Sequence, residues 1–256
     1  MEIPTIRVYL AGRVAIEAGA ELLEAARFPG QQGRLAFAYL TLERGRPVTR
    51  AELAEALWRD RLPAAWESAL SAIVSKLRAL LARSALRETA VLEGSRGCYE
   101  LRLPSTAWVD VSAAADAIHE AETALRERDH RRAYGPSAIA QHIARRPFLP
   151  GEQGPWVESW RDRLRDILLR ALETRSEIYL WNGEHALALQ SAKELLALEP
   201  YRETGHRLVM RALAAMGNSA EALKAYEHCR RLIARELGVD PSPETKAAYE
   251  AVLQSL

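Results

Sequence analysis

Between Trp66 and Arg83 the apolar positions follow a helical period. Placed at ~100° steps, Trp66, Leu70, Ile73, Val74, Leu77, Leu80 and Leu81 fall on one side. The opposite side holds Ser68, Ser71, Ala72, Ser75 and Ala79, with Glu67 and Arg78 on one shoulder and Lys76 and Arg83 on the other. A surface helix ordinarily turns long charged side chains to solvent, whereas this outer face is small and polar and its cations lie at the edges. Two short strand-like runs follow, Ala90 to Glu93 and Cys98 to Leu103. The residues Gly94-Ser95-Arg96-Gly97 separate them, which predicts a hairpin with an arginine at its tip.

Upstream, Ile6, Val8 and Leu10 alternate with Arg7, Tyr9 and Ala11, and Val14 and Ile16 continue after Gly12-Arg13, predicting a short antiparallel pair with one buried face. Pro29-Gly30 marks a turn. Gly33 to Glu43 reads as a helix with Leu35, Ala36, Tyr39, Leu40 and Leu42 on its apolar side, stopped by Gly45-Arg46-Pro47. Thr49 is the predicted N-cap of a second helix, with Glu52 completing a capping box and Leu53, Ala56, Leu57 and Trp58 facing the core. Arg59 to Pro63 is a short loop before the third helix.

Three helices closed by a hairpin fit a winged helix-turn-helix over residues 1–104. Small residues let a helix sink into the major groove, and flanking cations pair with the two backbones. Ser68, Ser71 and Ser75 are therefore the predicted groove-facing residues, Lys76, Arg78 and Arg83 the phosphate contacts, and Arg96 the wing residue.

The C-terminal half, 108–256, carries a repeat. A shift of 34 residues carries Gly183 onto Gly217, Ala188 onto Ala222, Tyr179 onto Leu213 and Leu195 onto Cys229. Glycine at an inter-helix turn, a small residue at a close helix crossing and a proline exit, here Pro200, are the marks of a tetratricopeptide-like repeat. The second copy has Ala234 in place of the proline, so its helix is expected to run on. Segments near Ser112 to Arg128 and Arg131 to Arg145 read as a further, degenerate helical pair, in keeping with the three or so pairs such a stack needs. Pro104 to Asp110 is a short connector in which Trp108 is expected to pin the two domains together, and Arg146 to Trp156 reads as a packed loop. The predicted fold class is thus mainly α with small β elements.

Charge adds little. The net charge of +1 divides into +3 over residues 1–103 and −2 over 104–256, which permits a local nucleic-acid patch without requiring one. The two cysteines, Cys98 and Cys229, lie one per half and predict reduced thiols in a cytoplasmic protein. No apolar run reaches membrane-spanning length, and Met1-Glu2-Ile3-Pro4 lacks the start of a signal peptide.

Several stretches together resemble the SARP-type bacterial transcriptional activators. They are Arg46-Pro47-Val48-Thr49 leading to Leu53 and Leu57-Trp58, Val74-Ser75-Lys76-Leu77-Arg78, Gly97-Cys98-Tyr99-Glu100-Leu101, Val109-Asp110-Val111, Glu221-Ala222-Leu223 with Tyr226, and Glu236 to Glu244. That family joins an OmpR-like winged helix-turn-helix to a bacterial transcriptional activator domain. The resemblance implies double-stranded DNA bound at direct repeats near a promoter's −35 region, dimerisation (a homodimer) or tandem binding, and contact with RNA polymerase. The chain departs from the pattern at Tyr134-Gly135-Pro136, which interrupts a stretch the family keeps as one helix, and at Ile143 to Pro147, which replaces that helix's usual Leu-Trp-Arg-Gly-like end. It lacks a P-loop pattern and so resembles the small stand-alone members.

The alternative is a helical-repeat interaction or ligand-sensing module whose winged domain binds protein. An enzyme is disfavoured, because His119, His130, His142, His185, His206 and His228 lack metal-ligand spacing and no nucleophile or nucleotide motif appears. No cofactor, metal or membrane is expected as a partner.

Overall fold

A computed structural model describes residues 6–84, 86 and 90–254, with every side chain among them but that of Asp60. The Met1 to Pro4 segment considered as a leader lies outside the described residues. The chain forms two compact units: residues 1–113 with 146–164, and residues 114–145 with 165–256. The segment 146–164, placed by the sequence in the second domain, clusters with the first unit. The reason is apolar burial, since Phe148 pairs with Ala11 in an isolated bridge, and Phe148, Leu149 and Val157 are fully buried. Within it, Arg146 to Gly154 is packed loop as the composition of Arg146 to Trp156 indicated, and a helix starts at Pro155.

In the first unit a four-stranded sheet has the order β3-β2-β1-β7, from β1 (Ile6–Tyr9), β2 (Ala15–Ala18), β3 (Glu21–Glu24) and β7 (Trp108–Val109). The predicted β1–β2 pair sets Val8 opposite Ile16, and Ile6, Val8, Leu10 and Ile16 are buried as the alternation required. The third strand was not legible, because Glu21-Leu22-Leu23-Glu24 buries Leu23 alone. Trp108, expected at a domain junction, makes its strand and ring contacts within this unit. Its strand runs parallel to β1, and its ring meets Tyr9 edge-on at 5.6 Å.

Helix α4 (Asp110–Arg126) begins directly after β7. The Asp110 carboxylate accepts the backbone N–H of Leu10 at 2.9 Å, of Ala11 at 2.9 Å and of Val111 at 2.8 Å. Burial pushes its carboxyl above the ordinary value, against the pull of those three donors.

Three helices cross above a second sheet. They are α1 (Gly30–Leu42), α2 (Arg50–Trp58) and α3 (Trp66–Ala82), and the sheet has the order β4-β6-β5, from β4 (Val48–Thr49), β5 (Val91–Ser95) and β6 (Cys98–Arg102). Thr49 caps α2 as predicted, accepting from the Glu52 N–H at 3.1 Å. The box is only half closed. The Glu52 carboxylate accepts from Arg46 and from the Tyr39 hydroxyl at 2.9 Å, because a charged donor outcompetes a backbone N–H. The hairpin also differs in its boundaries. Gly94 and Ser95 belong to β5, opposite Tyr99 and Cys98, leaving Arg96-Gly97 as a two-residue turn. Both turn residues have positive φ, 50° and 80°, the pattern of a type I′ turn that matches strand twist.

The second unit is helical: the rest of α4, α5 (His130–Ala144), most of α6 (Pro155–Trp181), α7 (His185–Leu198), α8 (Glu203–Ala215), α9 (Ser219–Leu237) and α10 (Pro243–Gln254). The repeat is real in three dimensions. Gly183 and Gly217 turn at φ 77° and 78°, and Ala188 and Ala222 are both fully buried where helices cross. Helix α9 does run past Ala234 and ends in the left-handed Gly238 at φ 70°. The expected break at Tyr134-Gly135-Pro136 is absent. Helix α5 continues through Pro136, and the Ser137 hydroxyl donates to the Tyr134 carbonyl at 2.8 Å. The closing motif also acquires a role: Ser242 donates through its N–H and hydroxyl to Glu203 at 2.8 and 2.7 Å, seating α10 on α8.

His206 is buried with its Nε2 2.9 Å from the Pro200 carbonyl, and burial holds its pKa below the ordinary value. A depressed histidine contributes stability that is present above its unfolded pKa and lost as pH falls through the folded one. The unfolding midpoint should therefore fall as pH drops below about 6.5. His206→Gln should flatten that dependence in urea titrations at pH 7.5, 6.5 and 5.5. An equally steep loss in the variant would assign the effect to other groups.

Candidate nucleic-acid interface

Helix α3 divides as its pattern dictated. Leu70, Val74, Leu77 and Leu81 are buried, while Ser68, Ser71, Ala72, Ser75 and Ala79 are exposed, with Lys76, Arg78 and Arg83 exposed beside them. Burying those four leucine and valine side chains contributes on the order of 1.5–3 kcal/mol each. The outward face is therefore free to be small.

The serines are not equivalent. The Ser71 hydroxyl donates to the Glu67 carbonyl at 2.8 Å and accepts from Arg50 Nη2 at 3.1 Å. Among the described residues Ser68 and Ser75 have no such side-chain partner. Arg50 went unnoticed in the sequence, where it reads as an ordinary first-turn residue of α2. It also donates to the Glu67 carbonyl at 3.0 Å, and its backbone N–H donates to the Gly97 carbonyl at 3.0 Å. One residue thus joins α2, α3 and the β5–β6 turn, which carries the exposed Arg96.

Arg78 is partly committed. Its Nε donates to the Leu92 carbonyl at 2.8 Å and its guanidinium lies 5.9 Å from the Tyr99 ring centre. A Cβ at Gly94 would sit 2.4 Å from its Nη2, so glycine makes room for this side chain. Arg78 fastens the hairpin to α3 as well as lying at the helix edge. On the other shoulder, Lys76 and Arg83 line a cleft with Ala79, Leu80, Leu23, Glu21 and Arg27, the last residue of a short 3-10 turn after β3. Arg27 carried no motif and could be placed here only by the fold. Among the described residues Arg27, Arg50, Lys76, Arg78, Arg83 and Arg96 make no ion pair with a carboxylate, whereas Arg34, Arg46 and Arg102 do. The exposed α3 face is thus flanked by Lys76 and Arg83 on one side and Arg78 on the other.

The first unit's remaining segment supports these helices. The Trp156 indole donates to the Ala56 carbonyl near the end of α2 at 3.0 Å, and Trp156 meets Tyr39 of α1 edge-on. Glu152, almost fully buried, accepts from Gln31 at 2.7 Å and Arg34 at 3.0 Å. No described helix is long and apolar enough to cross a membrane.

A family model described as the bacterial transcriptional activator domain matches residues 109–253, more than half of the chain. The chain belongs to the SARP-type family of transcriptional activators that carry this domain. It is 35% identical to the regulatory protein AfsR of Streptomyces coelicolor over 88% of this chain and 22% of AfsR. It is 28% identical to the regulatory protein DnrI of Streptomyces peucetius over 94% of this chain and 89% of DnrI. A solved structure of Mycobacterium tuberculosis EmbR in complex with a low affinity phosphopeptide shares the fold, with a TM-score of 0.81 at 24% identity, covering 98% of this chain and 65% of that one. The chain spans only about a quarter of the length of the AfsR relatives it matches.

Proposed function

We propose that this chain is a sequence-specific DNA-binding transcriptional regulator acting in the cytoplasm. Residues 1–104 serve as a winged helix-turn-helix with α3 as recognition helix and β5–β6 as wing, and residues 108–256 serve as the tetratricopeptide-like activator domain. The observation that carries the reading is the α3 face: small and polar in the middle, with exposed cations on both shoulders. Phosphates fix register through the shoulder cations while the small face approaches base edges. Names borne by relatives such as AfsR, DnrI and the transcriptional regulator RedD support the regulatory role. Activation through RNA polymerase, binding at direct repeats and homodimerisation rest on the family resemblance.

Selection of genomic fragments by the purified chain, followed by anisotropy titrations across salt concentrations, tests this. A recovered motif of spaced repeats with affinity falling steeply as salt rises is expected. Weak binding with no enriched motif would overturn it. Base-contact variants at Ser68 or Ser75 should relax preference at one or two positions, each substitution being worth about 1–3 kcal/mol of discrimination. A full selection repeated with Ser75→Ala checks this, and an unchanged motif would remove Ser75 from the reading face.

A further inference from the structure

Arg50 holds a positive charge at the junction of α3 with the β5–β6 turn. Its hydrogen-bond acceptors, the Glu67 carbonyl and the Ser71 hydroxyl, are both uncharged. Its Nε is buried without an acceptor, and among the described residues Arg50 has no carboxylate ion pair. The backbone bond to Gly97 ties the same residue to the turn that carries Arg96. Both Nη2 hydrogens go to these neutral acceptors and Nε is buried, so the half-buried guanidinium keeps its full charge and its Nη1 end for an external anion.

Ser71 is the other half of this arrangement. A hydroxyl has one proton to give, and here it goes to the Glu67 carbonyl at 2.8 Å. One of its lone pairs is taken by Arg50. Little remains with which to read a base edge, although Ser71 lies on the exposed face beside Ser68 and Ser75.

We propose that Arg50 binds a DNA phosphate where α3 meets the β5–β6 turn, and that Ser71 positions Arg50 and does not read a base. This deepens the DNA-binding reading and rests on it. Arg50 becomes a backbone contact contributed by α2, and the base-reading serines reduce to Ser68 and Ser75.

The test uses the whole chain and the best fragment recovered by selection, with wild type measured first. Arg50→Ala, Arg50→Lys and Ser71→Ala are then titrated by anisotropy at several salt concentrations, on that fragment and on a panel of single-base substitutions. Thermal melts by circular dichroism confirm folding. Arg50→Ala should weaken binding about tenfold on every fragment and make the log–log salt slope shallower by about 0.9, one phosphate's worth. Arg50→Lys should keep most of that slope, since a lysine remains a point charge at the site. Ser71→Ala should weaken binding several-fold with the ranking of the panel unchanged. A folded Arg50→Ala with unaltered affinity and slope overturns the phosphate contact, and so does a slope lost equally in Arg50→Lys. A reordered panel in Ser71→Ala overturns its positioning role. Wild type that binds no fragment in a salt-dependent way defeats the DNA reading itself, a failure separate from any confined to the variants.

Discussion

Asp110→Ala should destabilise the first unit by about 3–5 kcal/mol, since buried N–H groups left without an acceptor cost about 1–3 kcal/mol each. The carboxylate is 1% exposed and accepts the N–H groups of Leu10 and Ala11 just past β1, while also capping the start of α4 through Val111. The donors lie just past β1 beside a buried carboxylate, so the loss falls on the pairing of β1 with β7. Asp110→Asn should cost less: it keeps the shape and one acceptor oxygen and removes the burial of a charge, but turns an amide N–H toward a backbone donor. Urea denaturation compares the three proteins, and amide exchange at Leu10 and Ala11 locates the effect. Those two amides should exchange fastest relative to wild type in the alanine variant. Unchanged protection there would show that another acceptor had replaced the carboxylate.

Removal of the cationic edge beside Lys76 is expected to give the largest effect on binding. Lys76 and Arg83 lie two helical turns apart on α3, and Arg27 faces them across the same cleft. The triple variant Arg27→Ala, Lys76→Ala, Arg83→Ala should lose on the order of a hundred- to a thousandfold in affinity at low salt. Its salt slope should be shallower by nearly three if each cation meets one phosphate. All three side chains are solvent-exposed, so the melting temperature should move little. Arg78→Ala would be a poorer probe, because it also releases the hairpin from α3 by deleting the bond to the Leu92 carbonyl. If the triple variant kept its slope while Ser75→Ala altered base preference, α3 would still enter the groove, but this shoulder would point away from the backbone. Singly altered Arg27→Ala then tells whether the edge extends beyond α3, by a slope change of about 0.9 or none.

Much of this architecture was legible in the residues themselves. The apolar stripe of α3, the alternation in β1, the Thr49 cap and the 34-residue spacing of Gly183 with Gly217 are local patterns. Each is set by helix or strand periodicity, or by a backbone conformation only certain residues adopt readily. Such signals survive without knowledge of the partner surface. The exposed Ser68, Ser75, Lys76 and Arg83 follow from the same stripe by complement. Pro136 was a local signal that misled: a proline lacks one helical donor, yet the packing of Ala133, Ser137 and Ala140 around it keeps α5 intact.

Tertiary structure alone decided the rest, because those features depend on groups distant in the chain. The strand β3 buries one side chain and exists through its pairing with β2. The segment 146–164 joins the first unit because Phe148 and Leu149 find their apolar partners there, and sequence order carries no record of that choice. Asp110 meets its donors from 100 residues away. Arg27 and Arg50 reach the edges of α3 from other elements, and the guanidinium that comes to rest against Ser71 adds to its bond to the Glu67 carbonyl in setting it apart from Ser68 and Ser75. Periodicity determines which side of a helix faces outward. What stands beside that face is determined by packing between elements.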